Sequence, residues 1–117
     1  WNLEWCGGGF EHFDCIGTTA KGKSVVMEIK WRKKHYQKKM IEKYKFDKLI
    51  EEDAEALYFV ADPKGHYIYW LNDLAKQETV ELYCPDTTLW TKKRNNKECY
   101  LLDEKDAHKI HINYATT

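Results

Sequence analysis

SVVMEIKW, Ser24 to Trp31, is a run of strand-formers that carries an acid and a lysine two residues apart. Residues two apart on a strand share a face, so Glu28 and Lys30 point one way while Met27, Ile29 and Trp31 point the other. Burying opposite charges side by side is costly unless they pair or bind something. The stretch before it, FEHFDCIGT (Phe10 to Thr18), alternates large apolar and polar residues as a half-buried strand does. Between the two lies AKGK, with Gly22 available for a positive φ. The two stretches are therefore expected to form a hairpin. That hairpin brings a third charge, Asp14, beside Glu28, with thirteen residues between them in sequence.

The remaining pattern frames this hairpin. Gln37 to Glu52 places Met40, Ile41, Tyr44, Leu49 and Ile50 on a helical stripe, with Phe46-Asp47 as a break or cap. ALYFVAD (Ala56 to Asp62) is a nearly continuous apolar run, expected as a central strand. PKGH is a turn and YIYWLN the returning strand, with Tyr58, Tyr67, Tyr69 and Trp70 packing across the pair. Leu74 to Glu81 reads as a short helix. TTLWTKK and CYLLDE read as a final hairpin around Arg94-Asn95-Asn96-Lys97, and DEKDAHKI as a last turn capped by Asp103. The expected architecture is α+β: one mixed sheet with flanking helices, in a single domain spanning 1–117.

Composition bounds the rest. Hydrophobic residues make up 43% and aromatics 15% of the 117 residues, a globular balance. Nineteen Lys and Arg offset nineteen Asp and Glu, so total charge says nothing about partners. Its distribution does: Lys21 to Lys48 holds eleven Lys and Arg against three acids, a footprint for phosphates or a solvated helix face. Lys33, Lys34, Lys38 and Lys39 are the leading phosphate candidates, with Lys43 and Lys45 following them and His35, Tyr36 and Tyr44 interleaved to stack on bases. No apolar run reaches the ~20 residues of a membrane span, and no signal peptide is visible. Cys6, Cys15, Cys84 and Cys99 form no C-x-x-C pair; two disulfides are possible by count, but the Lys/Glu-rich, unsignalled chain favours reduced thiols and a cytoplasmic, reducing setting. A zinc site using them with His12 lacks the usual ligand spacing. The remaining histidines show no metal spacing either, although His108 and His111 would share a helical face.

Asp and Glu on neighbouring strands offer oxygen ligands to a hard divalent cation, and a lysine on the same face can position or deprotonate a water. Asp14 followed by Glu28-Ile29-Lys30 resembles the D…(D/E)-x-K signature of the PD-(D/E)XK nuclease superfamily. The resemblance covers roughly residues 10–70, with Phe13 where the signature has proline. It implies a restriction-endonuclease-like core and Mg²⁺- or Mn²⁺-dependent hydrolysis of phosphodiester bonds, in DNA rather than RNA. It further implies that Asp14, Glu28 and the Ile29 backbone carbonyl are metal ligands and that Lys30 is the catalytic lysine. Gln37, on the helix expected after the motif strand, is the accessory candidate. His12 and Glu11 are further accessory candidates beside Asp14. The family's helix ahead of the aspartate strand has little room in the thirteen residues preceding Asp14, where Glu4 or Glu11 are the acids available. Two other readings stay open: a nuclease-like fold that grips nucleic acid without cutting, and a protein-interaction module in a homodimer or larger assembly.

Overall fold

The computed structural model describes residues 2–6, 13–74, 80–85 and 94–110. The opening hairpin forms, but its first strand is shorter than the expected Phe10 to Thr18: residues 13–14 bend, and 10–12 lie outside the described residues. β2 (Cys15–Thr18) runs antiparallel to β3 (Ser24–Trp31), pairing Cys15 with Met27 and Thr18 with Ser24. Gly22 turns the chain with φ 82°, in the left-handed region that costs glycine nothing. β1 (Asn2–Trp5) adds to the outer side of β2. Gly17 is what allows that approach: a Cβ there would lie 1.8 Å from the Asn2 carbonyl oxygen.

β3 also pairs in parallel with β5 (Glu55–Asp62), from Val25 with Glu55 to Trp31 with Ala61. A parallel pair needs a crossover, and residues 32–54 supply it. Here the structure departs from the expectation of one helix from Gln37 to Glu52. Lys38–Glu42 is a strand, β4, and only Lys43–Ile50 is helical, as α1. β4 pairs with β8 (Arg94–Asp103), so backbone bonding to a distant segment overrides local helical periodicity. α1 starts at Glu42 without a side-chain cap, not at Phe46-Asp47.

β6 (Gly65–Trp70) returns antiparallel to β5, and β9 (His108–Ile110) closes the far edge. The larger sheet is thus mixed, in the order β1-β2-β3-β5-β6-β9. A second sheet, order β4-β8-β7, was not expected; β7 is Val80–Pro85. Arg94 to Lys97, expected as a turn, lies within β8, and β8 takes β7 as its hairpin partner. The expected helix from Leu74 to Glu81 ends up otherwise: Leu71–Leu74 is a 3₁₀ turn, Val80 and Glu81 belong to β7, and 75–79 lie outside the described residues. The segment TTLWTKK also lies outside them. Asp103 does cap the short Glu104–Asp106 turn, accepting from the Lys105 amide at 3.0 Å. His108 sits in a strand, β9, and His111 lies outside the described residues.

One face of the mixed sheet packs against α1 and the second sheet. Val26, Tyr58, Val60 and Tyr69 meet Ile41, Phe46, Leu49 and Leu102 there. Two tyrosines join the layers: Tyr58 Oη donates to the Met40 carbonyl at 2.8 Å and Tyr69 Oη to the Leu102 carbonyl at 3.1 Å. The opposite face buries Val25, Met27 and Leu57 with Cys15. Among the described residues, no helix is long and apolar enough to cross a membrane.

Candidate active site

Glu28 and Lys30 follow Val26 on the β3 face that meets α1, and sit beside Tyr58 and Val60 of β5. The strand's inward row is therefore apolar at its start and charged at its end. α1 answers the first charge: Lys45 Nζ lies 3.8 Å from Glu28 Oε1. Burial pushes the Glu28 carboxyl above its ordinary range, and Asp14 pushes it further; Lys45 and Lys30 only partly offset this. Burial lowers the Lys30 ammonium below the usual lysine range, helped by the nearby positive charges of Arg32 and Lys45.

Asp14 is held by backbone bonds. Phe13 and Asp14 form a bend just before β2, where the Asp14 amide donates to the Met27 carbonyl at 2.9 Å. Its carbonyl accepts from the Cys6 amide at 2.7 Å. Its carboxylate Oδ2 accepts from the Ile29 amide at 2.8 Å. A strand residue's amide and carbonyl leave toward the same neighbouring edge, so the Ile29 carbonyl lies on the β2 side of β3. The structure thus brings Asp14, Glu28, Ile29 and Lys30 to one end of β3.

The other sequence candidates divide. Glu11 and His12 lie outside the described residues. Gln37 is not on a helix; it is an exposed bend residue before β4, and its carbonyl accepts from the Glu104 amide at 2.8 Å. Lys33, Lys34 and Lys38 are exposed. Lys39 is not: only 4% of it is accessible. Its ammonium lies 2.9 Å from Asp62 Oδ2, donates to the Tyr36 carbonyl, and stands 4.3 Å above the Tyr67 ring. His35 completes this cluster, bridging Asp62 at 2.8 Å and Glu104 at 3.2 Å. Burial alone would raise the Asp62 carboxyl. Donors from Lys39, the Lys64 amide and His35 outweigh it and hold the group below its ordinary range.

Sequence reading placed Lys45 only among the phosphate candidates, without its pairing to Glu28, and missed Arg32. Arg32 was legible in principle, since it continues the Glu28, Lys30 row by one more strand step. The Lys45 pairing was not, because the approach to Glu28 depends on where α1 starts.

The donor set suits a hard divalent cation. Two carboxylates are close enough for one to raise the other's pKa, and oxygen ligands of this kind are what such a cation takes. Among the described residues, no three His, Cys, Asp or Glu side chains converge to hold a metal. Cys6, Cys15 and Cys99 are thiols.

The mixed sheet with α1 against one face is a restriction-endonuclease-like α+β fold. One solved structure that shares it is Hjc, a Holliday junction resolvase from the archaeal hyperthermophile Archaeoglobus fulgidus. The two superpose with a TM-score of 0.55 and 14% sequence identity, over 92% of this chain and 76% of that one. At that identity the likeness is one of fold. No protein-family model and no curated protein matches the sequence.

Proposed function

We infer that this chain is a divalent-metal-dependent nuclease acting on DNA, built as one domain over 1–117. The observation that carries the reading is the convergence of Asp14, Glu28 and Lys30 on one strand end, with Asp14 fastened to the Ile29 amide at 2.8 Å. Asp14, Glu28 and the Ile29 carbonyl would hold Mg²⁺ or Mn²⁺. When bound, such an ion supplies positive charge to the phosphodiester and lowers the pKa of its water.

The chain's own groups do the remaining work. Lys30, its ammonium already disfavoured by burial and neighbouring cations, orients the attacking water and takes part of its proton. Arg32 and the exposed Lys33, Lys34 and Lys38 hold the flanking phosphates by charge alone. Lys39, buried against Asp62, takes no part in that contact and instead fixes the basic segment in place.

The test is cleavage of labelled single-stranded and duplex DNA with Mn²⁺ or EDTA, beside Lys30→Ala. Metal-dependent cutting that Lys30→Ala abolishes is the expected result. A folded wild type that binds DNA in EDTA yet never cuts with Mn²⁺ would sink the catalytic assignment. The Glu28–Lys45 ion pair would then be the resting arrangement of a binding module.

A further inference from the structure

The row Glu28, Lys30 continues to Arg32, whose amide donates to the Ala61 carbonyl at 2.8 Å as β3 ends. Two strand residues advance about 6.6 Å. Arg32 therefore stands one step beyond the lysine, and there it borders a cavity of about 380 Å³. That volume is in the range of small-ligand sites. The cavity's walls are apolar: Met40 and Leu101, directly paired across β4 and β8, and Tyr36. Its rim is cationic, from Arg32, Lys34 and Lys38. Lys39 and Asp62 also line it, but their side chains are 3% and 1% exposed and are bonded to each other. The lining thus offers apolar surface inside and positive charge at the mouth.

Tyr36 is placed for this. It is 57% exposed, although its backbone is pinned by the Lys39 ammonium on its carbonyl. An aromatic ring held out beside an apolar slot is a stacking platform. A bare phosphate would use the rim and ignore the walls, and so would an acidic peptide. A nucleotide uses both, its phosphate on the rim and its base against Tyr36, Met40 and Leu101.

We propose that this cavity receives the base of an unpaired nucleotide next to the phosphate attacked beside Lys30, and so selects nucleic acid with an unpaired nucleotide beside the cut. The proposal rests on the nuclease reading for the position of that phosphate. In a duplex the base is stacked and paired, and drawing it out costs a few kcal/mol. A base that is already unpaired avoids most of that cost. Lys39 and Asp62 act as positioning residues, holding the Tyr36 segment against β5.

The experiment is an anisotropy titration in EDTA, with a labelled duplex and the same duplex carrying one bulged adenine. The wild type is expected to bind the bulged duplex at least ~10-fold more tightly, since stacking on an aromatic side chain contributes roughly 5- to 150-fold in affinity per base. Tyr36→Ala is expected to bring the two affinities within about twofold, and Tyr36→Phe to keep the preference. Trp31→Ala, on the opposite face of β3 and 69% exposed, should also keep it. A wild type without preference, or a preference that survives Tyr36→Ala, overturns the proposal. The cleavage assay separates the two readings. Lys30-dependent cutting without bulge preference removes the pocket alone, whereas preference without cutting removes the catalytic role alone.

Discussion

Replacing Asp62 with Asn tests the claim that Lys39 holds the fold and not a phosphate. In the wild type the Lys39 side chain is 3% exposed, with Asp62 at 2.9 Å as its close counter-charge. Glu104, at 4.0 Å and partly in solvent, is a poor substitute. Asp62→Asn keeps the shape and removes the charge, leaving a buried cation without its partner. Breaking a buried pair from one side costs about 3–5 kcal/mol. A chain of this length has about 6–18 kcal/mol of stability in all, so the loss is a large share. With an unfolding entropy near 2.1 cal/mol/K per residue, each kcal/mol moves the midpoint by about 4 °C, which predicts a fall of about 12–20 °C. Lys39→Met should cost less, because Asp62 keeps His35 and the Lys64 amide, both at 2.8 Å. The double variant should be more stable than Asp62→Asn alone, since no unpaired charge remains buried. Thermal and urea unfolding of the four proteins measure this directly. An Asp62→Asn variant within ~1 kcal/mol of wild type, with the double variant equal to the sum of its singles, would refute the argument. Lys39 would then be in water and free to meet a phosphate.

Three further outcomes follow from the same geometry. Glu28→Gln should raise the melting temperature while abolishing cleavage, because the charged form of Glu28 is disfavoured by burial and by Asp14; a lower melting temperature would show that the Lys45 pair outweighs both. Asp62 has its folded pKa held below the unfolded value, so its contribution is fully present above about pH 3.9 and is lost as pH falls through the folded pKa. Urea midpoints across that range should drop in wild type and stay flatter in the Lys39→Met/Asp62→Asn protein. Neutralising Lys34 should weaken DNA binding uniformly and reduce the salt slope by about one, whereas Lys39→Met should leave the slope unchanged; isothermal titrations at several salt concentrations distinguish the two.

The sequence by itself determined the hairpin, the central strand and the charged row, because each is written in adjacent residues. Alternation marks a strand, Gly22 marks the turn, and two residues' spacing puts Glu28 and Lys30 on one face whatever else the chain does. β4 was hidden for a reason that can be named. Its inward positions are Lys39 and Ile41, both buried, so one of the two residues that should read as apolar is a lysine. That lysine is tolerated only because Asp62, twenty-three residues on, arrives at 2.9 Å. Its counter-charge belongs to β5 and the strand's hydrogen-bond partner to β8, and neither relation is local. The same holds for the site. Asp14, Glu28 and Lys30 could be paired from a hairpin, but Lys45 reaches Glu28 only through the start of α1, and the cavity beyond Arg32 exists only where β4, β8 and the end of β5 meet. Local pattern fixes which residues share a strand face; long-range pairing decides what stands opposite that face, and with it which charges are shielded and which remain for a ligand.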